Sequence, residues 1–176
     1  MPSIGHVAIG IAASRFNRKN ARTVWTPFGA AVVWSTISLL PDIDVVGSRF
    51  GIRYEDTWGH RGVTHSFAFA VFVAAAVYVF GRFARFRAMR MALIALVLVA
   101  SHAVLDAFTD GGYGCALLWP FTNARIFAPW TPIPVAPMGR DFFSREGLTV
   151  AGLELLFSLP VLVYAFWPGG NRRTRR

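Results

Sequence analysis

Long runs of apolar residues, separated by polar and basic stretches, dominate this chain. The apolar segments cover residues 4–14, 25–40, 63–80, 91–108 and 148–167, and a basic tail covers residues 169–176. Crossing the ~30 Å hydrocarbon core of a membrane takes ~20 helical residues. Four segments approach or reach that length, 25–40 only marginally, whereas 4–14 is short. The pattern therefore predicts four or five transmembrane helices.

A soluble bundle of very apolar helices is the alternative interpretation. Helices on the surface of a soluble bundle show one apolar and one polar face. Segments 63–80 and 91–105 are apolar on all faces, and 55% of all residues are hydrophobic. The predicted fold class is therefore an all-α, polytopic transmembrane bundle, with residues 1–176 forming one integral membrane domain.

The charge pattern predicts an orientation. The chain contains 18 Lys+Arg against 9 Asp+Glu, and much of this excess lies in three clusters without acidic residues. The clusters are Arg15, Arg18, Lys19 and Arg22; Arg82, Arg85, Arg87 and Arg90; and Arg172, Arg173, Arg175 and Arg176. Because basic loops stay in the cytoplasm, five spans place the N-terminus outside and the C-terminus inside. The basic charge thus mostly indicates membrane topology, and we expect no nucleic-acid partner.

The histidines and several carboxylates lie at predicted outer ends of the spans. They are His6, Asp42, Asp44, His60, His65, His102 and Asp106. Ionisable side chains at membrane depth cost ~2.5–3.5 kcal/mol each and persist mainly where they pair, line water or bind an ion. A lone Cys115 excludes a cysteine-rich zinc module. The pattern predicts an interfacial metal site held by imidazole and carboxylate.

Spacing predicts part of the geometry of this site. His102 and Asp106 are four residues apart, so a helix places them on one face. Asp42 and Asp44 can face one side if the backbone there is extended. The spacing of five residues between His60 and His65 requires a turn. Thr64 is a candidate N-cap for the third span, which would place His65 in its first turn.

Seven candidates exceed the three protein ligands of a mononuclear catalytic zinc. Either some carboxylates orient the ligating imidazoles, or two ions lie together. Imidazole with carboxylate suits Zn, Mn or Fe. Zn²⁺ is the default prediction, with one or two ions.

These motifs together resemble the YdjM-like family of inner-membrane proteins, which are regarded as metal-dependent hydrolases. The matching motifs are the early His6, Leu-Pro-Asp-Ile-Asp ending at Asp44, His-Arg-Gly-Val-Thr-His-Ser from His60, Ser-His-x-x-x-Asp ending at Asp106, Thr-Asp-Gly-Gly from Thr109 and Leu-Trp-Pro-Phe-Thr from Leu118. The resemblance implies a helical integral membrane protein with hydrolase activity. It also places all the metal-site candidates after His6 on the family's motif positions.

The leading functional hypothesis is an enzyme of the outer lipid interface. A metal-bound water would attack a phosphoester or another ester of a lipid or lipid-linked substrate. Asp44 or Asp110 is the candidate general acid or base, and Arg61 a candidate phosphate contact. Further candidate phosphate contacts are Arg53, Arg125 and Arg140.

Two other classes stay open. In a transporter of ions or small solutes, the histidines and aspartates would form an ion path, yet apart from Asp106 at the outer end of segment 91–108 the predicted spans contain a single acidic residue, Glu154. In a membrane scaffold, the metal would be structural. The outer loop 109–147 is rich in proline, glycine and aromatic residues, which predicts an interfacial lid or rim rather than free coil.

Overall fold

The computed structural model describes residues 4–18, 25–137 and 139–167. In these ranges the α-helices are α1 (Ile4–Arg18), α2 (Pro27–Ser38), α3 (Phe67–Phe83), α4 (Ala88–Ala107) and α5 (Arg145–Phe166). Shorter 3₁₀ helices cover Leu40–Phe50, Val63–His65 and Gly139–Phe143. The same ranges contain isolated β-bridges but no β-strand. The predicted all-α class is therefore confirmed.

Serine and threonine side chains define where the apolar helices begin. Thr26, Ser66 and Ser144 each accept a hydrogen bond from a backbone amide in the first turn of α2, α3 and α5. The prediction that Thr64 caps the third span was wrong, because Ser66 has that role. His65 consequently lies before α3, in a 3₁₀ turn, rather than in the first turn of the helix.

Two helices, α4 and α5, are long and apolar enough to cross a membrane. A third candidate span is the broken pair formed by α2 and Leu40–Phe50, which bends by 53°. The apolar helices α1 and α3 are shorter than a full span. The structure thus supports two or three spans, and the predicted four or five stay a prediction. Lys19, Arg22 and residues 169–176 lie outside the described residues.

Small residues allow the helices to approach closely. α3 and α4 form a hairpin, and α1 packs against both α2 and α5. A Cβ atom on Gly10 of α1 would lie 2.4 Å from the Ser35 Cα atom of α2. Trp34 and Ala95 are fully buried in the core between the helices. Such packing of small residues is the usual means of helix association in membranes.

Packing brings one end of each of several helices together. The start of α1, the end of α2, the turn before α3 and the end of α4 meet at one end of the bundle, where His6 lies against Asp106 and His102 against Ser38. At the opposite end, Arg15 of α1 donates hydrogen bonds to the carbonyls of Tyr164 and Trp167 at the end of α5. The predicted metal-binding side chains therefore occupy a single end of the bundle.

Candidate metal centre

Four side chains from separate parts of the chain present potential ligand atoms to one point. Asp42, His65, His102 and Asp106 each offer an atom within 4.8 Å of the others. His65, His102 and Asp106 are almost completely buried, whereas 26% of the Asp42 side chain is exposed. The group therefore opens towards its surroundings on the side of Asp42.

His102 is held in one tautomer by the backbone. Its Nδ1 atom lies 2.7 Å from the carbonyl oxygen of Ser38. Because a carbonyl only accepts hydrogen bonds, Nδ1 carries a proton, and in the neutral imidazole Nε2 then presents its lone pair to the site. Pro41 leaves this carbonyl available, since proline has no N–H to donate back to Ser38 three residues earlier.

His65 is oriented in the same manner by a carboxylate. Its Nδ1 atom lies 3.2 Å from the Thr64 hydroxyl oxygen, to which it donates, and 3.1 Å from Asp44 Oδ2, so Nε2 again faces the site. The Thr64 hydroxyl donates to the same carboxylate oxygen. Each ligating imidazole therefore has a hydrogen-bond acceptor that fixes its ring and tautomer.

The buried centre brings acceptor atoms face to face. Among the described residues, the Nε2 atoms of His65 and His102 have no hydrogen-bond partner. His102 Nε2 is 3.3 Å from Asp42 Oδ1 and 3.9 Å from Asp106 Oδ2. His65 Nε2 is 3.7 Å and 3.4 Å from the same two oxygens. Lone pairs opposed at these distances repel unless a cation lies between them.

The spacing also suits a tetrahedral ion. Bonds of about 2.0–2.1 Å from zinc to nitrogen and oxygen imply ligand–ligand separations of about 3.3–3.4 Å. The four observed nitrogen–oxygen separations, 3.3–3.9 Å, need to contract by at most about 0.6 Å to reach these values. A metal ion of this size therefore fits the donor set.

The charge of the side chains at the centre also favours a bound cation. The carboxylates of Asp42, Asp44 and Asp106 lie together with one guanidinium, that of Arg61, whose Nε atom is 3.4 Å from Asp106 Oδ2. With neutral imidazoles, these four described side chains carry a net charge of −2. Burying uncompensated charge is costly, and one divalent cation would neutralise it.

Asp44 takes part in a second group with His60 and His65. Its oxygens lie 2.7 Å from His60 Nδ1 and 3.1 Å from the Arg61 backbone N–H. Thr64 donates a further hydrogen bond to Oδ2, and His65 Nδ1 lies 3.1 Å from the same oxygen, whereas Oδ1 has the contact with His60. The geometry therefore favours Asp44 as a support for the imidazoles over a ligand of a second ion.

His6 approaches the centre from α1. Its Nε2 atom lies 3.3 Å from Asp106 Oδ1, and its ring stacks on that of His102 at 3.6 Å between centroids. It contacts Oδ1 of Asp106, whereas Oδ2 lies 3.4 Å from His65 Nε2. His6 is thus placed to orient Asp106 and His102.

The predicted substrate and acid–base groups fall into two sets, those that make contacts inside the protein and those that are exposed. Arg61 is buried beside Asp106, and its Nη1 donates to the Gly111 carbonyl. Arg125 donates to the carbonyls of Tyr54, Asp56 and His60, so its guanidinium holds the loop in place.

Three other predicted contacts are exposed. Arg53 pairs with Glu55 and Asp56, and Arg140 lies in the 3₁₀ helix Gly139–Phe143. The Asp110 carboxylate accepts a hydrogen bond from the Val135 amide. Of the predicted substrate and acid–base groups, the structure therefore brings Arg61 and Asp44 to the centre.

The predicted local geometry was right for some elements and wrong for others. A turn does separate His60 from His65, with Arg61 at φ 64°. His102 and Asp106 do share a helical face. The backbone at Asp42 and Asp44 is 3₁₀ rather than extended, so their carboxylates contact different nitrogens of His65.

Sequence reasoning missed two supporting groups. The Ser38 carbonyl belongs to the backbone, and Pro41 was its only signal. Thr64 was interpreted as a helix cap, although its place between the two histidines was the available signal for a role at Asp44.

Burial in the loops around the centre shifts the pKa values of two side chains. Burial raises the pKa of the Tyr54 hydroxyl, which lies beside the His60 ring. Burial also raises the pKa of the Cys115 thiol to about 12. Cys115 and Ala116 pair with Ile126 and Arg61, so residues 109–137 cover the loop that carries His60. Both groups are neutral at physiological pH.

Comparison with known proteins identifies relatives over most of the chain. A family model described as YdjM inner membrane protein matches residues 1–171. The inner membrane protein YbcI of Escherichia coli (strain K12) is 37% identical over 134 residues, which cover 76% of this chain and 74% of that protein. No solved structure matches the chain.

Proposed function

The chain belongs to the YdjM inner membrane protein family, and on that premise we propose that it is a membrane-bound metal-dependent hydrolase. The observation that carries this proposal is the convergence of the buried Nε2 atoms of His65 and His102, which have no hydrogen-bond partner in the described part of the chain, on the oxygens of Asp42 and Asp106. These four residues are the proposed ligands of one divalent ion, with Zn²⁺ as the first choice.

A bound ion of this kind supplies a water of lowered pKa and polarises an ester oxygen. The protein's own residues would do the rest. Asp44 and Ser38 hold the imidazoles of His65 and His102 in the ligating tautomer, and His6 orients Asp106. Arg61, buried next to Asp106, is the proposed contact for a negatively charged substrate.

The proposed substrate is a phosphoester or another ester of a lipid or lipid-linked molecule. Asp42 is the most exposed of the four proposed ligands, so a substrate would approach from its side. The 3₁₀ helix that carries Asp42 also exposes Ile43, Val46 and Phe50. An apolar surface next to a charged centre suits an amphiphile held at the membrane interface.

By the positive-inside rule, the centre would face outward and the C-terminus the cytoplasm. Reporter fusions after Lys19 and Arg87 are expected to report the cytoplasm, and fusions within residues 49–55 or after Pro132 the outside. A cytoplasmic signal from either of the last two would contradict the outward-facing site.

The decisive experiment combines metal analysis with turnover. Protein purified in detergent is analysed for bound metal and tested for release of phosphate, headgroup or fatty acid from a panel of lipids. Wild type is expected to hold metal and hydrolyse one lipid class, and His102→Ala to lose both. Glu154→Gln, a change at an equally buried position in α5, is the control and is expected to retain metal. Metal without hydrolysis of any ester would overturn the enzyme assignment.

A scaffold with a structural metal is the second candidate. Its supporting observation is that four protein atoms converge, which fills a tetrahedral site, whereas catalytic zinc keeps one position open. The two functions differ in the effect of Asp42→Ala. In an enzyme, this exposed ligand could give way to water, and metal would be retained. In a structural site, its loss would release the metal and unfold that end of the bundle.

A further inference from the structure

The arginines of the α3–α4 turn line a cavity that has no part in the metal centre. Arg82, Arg87 and Arg90 surround about 480 Å³ together with apolar residues such as Phe86 and Leu93. Arg87 precedes His102 by fifteen residues of α4, which is about 22 Å along the helix. The cavity therefore lies at the end of the bundle opposite the proposed metal centre.

The positive charge of this cavity is not balanced within the described part of the chain. The sequence contains no acidic residue from position 57 to position 105. α4 begins with neither a side-chain cap nor an acidic residue in its first turn, so the positive end of its dipole adds to the arginines. Like charges gathered in this manner favour an anionic ligand.

Arg90 links the charged cavity to an apolar one. Its Nη2 atom donates to the Phe16 carbonyl at 2.6 Å, which holds the side chain between α1 and α4. A second cavity of about 420 Å³ shares Arg90 and Leu93 and is otherwise lined by apolar side chains of α1 and α4, as far as Leu98. From Arg90 to Leu98 it extends about 12 Å along α4.

We infer that the α3–α4 turn binds an anionic phospholipid. The phosphate would contact Arg82 and Arg87 beside Arg90, and an acyl chain would lie along α4 past Leu93. A charged mouth that continues into an apolar groove matches an amphiphile and not a soluble anion. The turn also lies at one end of α4, a helix of membrane-spanning length, and lipid headgroups lie at the ends of such helices.

Native mass spectrometry of the full chain in detergent tests this site. The protein is titrated with dioleoylphosphatidylglycerol and, separately, with dioleoylphosphatidylcholine. The test variant is Arg82→Gln with Arg87→Gln, both exposed positions at which a folding defect is not expected. The control variant is Arg49→Gln with Arg145→Gln, which removes the same charge at exposed positions elsewhere.

Wild type and the control variant are expected to bind the phosphatidylglycerol in preference to the phosphatidylcholine. The test variant is expected to bind phosphatidylglycerol roughly 30-fold more weakly, from about 1 kcal/mol per arginine near a headgroup. Inorganic phosphate at millimolar concentration is not expected to displace the lipid.

Three results would overturn the inference. Equal binding of both lipids by wild type would mean that the site recognises the acyl chains and not the charge of the headgroup. Unchanged phosphatidylglycerol binding by the test variant would place the lipid elsewhere. Displacement by inorganic phosphate would mean a site for soluble anions. None of these results depends on metal content or hydrolysis.

Discussion

The two ends of α4 carry charge in opposite ways. At its C-terminal end, His102 and Asp106 are buried, and each contacts other ionisable groups. At its N-terminal end, Arg87 is exposed and Arg90 is half-buried, and the adjoining sequence contains no acidic residue. One apolar helix thus joins a closed cluster of imidazoles and carboxylates to an open cluster of guanidinium groups.

The difference between the two ends shows that buried charged groups need partners within the protein, whereas exposed ones do not. Buried carboxylates need partners, and here imidazoles, backbone groups and one arginine supply them, in a cluster whose described side chains carry a net charge of −2 when the imidazoles are neutral. Exposed arginines need no partner within the protein, because water and lipid headgroups solvate them. The closed end should therefore respond to metal, and the open end to lipid.

The largest expected effect is the loss of metal when an imidazole is removed. His65→Ala and His102→Ala should each weaken metal binding by more than the about 10–100-fold that an outer partner contributes. Elemental analysis of the purified variants measures this. Arg87→Gln, at the other end of α4, should retain the wild-type metal content. Equal metal in all four proteins would remove the proposed distinction between the two ends.

The second effect concerns Asp44, which contacts both His60 and His65. If it supports the imidazoles without binding the ion, Asp44→Asn should lower metal affinity about 10–100-fold at unchanged stoichiometry. Competition with a chromogenic chelator gives both quantities. A fall from two ions to one would instead assign Asp44 to a second metal site.

The third effect concerns stability. A metal that binds only the folded state adds about 2.7 kcal/mol when its free concentration is one hundred times Kd. Chelation should therefore lower the unfolding temperature, and zinc should restore it. Protons compete with metal for the imidazoles, so this difference should shrink, and hydrolysis should decline, from pH 7 to pH 5. A chelator-insensitive transition would argue against a metal at the closed end.

The fourth effect concerns the packing that carries His6 to the centre. Gly10→Ala would place a Cβ atom 2.4 Å from the Ser35 Cα atom, so α1 and α2 must separate. We expect a loss of about 1–3 kcal/mol in stability and weaker metal binding. Gly152→Ala is the control, since no atom lies within 4 Å of its added Cβ. Thermal unfolding that is equal in both variants would contradict the close contact.

The smallest expected effect concerns Cys115, which the loops of the closed end cover. Burial raises the pKa of its thiol to about 12 from an ordinary value of 9.0, so the folded thiol stays protonated at pH 8. Iodoacetamide should leave it unlabelled until denaturant is added. The unfolded thiol ionises first, and stability should therefore fall as pH rises above about 9. Rapid labelling of folded protein would mean that these loops open.

Much of the architecture can be derived from local features of the chain. Apolar runs predict α4 and α5, because a helix in hydrocarbon needs about twenty apolar residues. The spacing of His102 and Asp106 places both on one helical face without any knowledge of the fold. The acid-free arginine clusters and the absence of a second cysteine also follow from the sequence directly.

Tertiary structure decided which groups share one point and what each of them does there. His102 obtains its tautomer from the Ser38 carbonyl, 64 residues earlier in the chain. Asp42 and Asp44 differ by two positions, yet they contact opposite nitrogens of His65 because the bend after α2 is 3₁₀. Arg125 donates a hydrogen bond to the His60 carbonyl and so stabilises the His60 loop, a contact between residues 65 positions apart. Helical periodicity and residue type act over a few residues, whereas the protonation of an imidazole and the partners of a carboxylate depend on groups that only packing brings into contact.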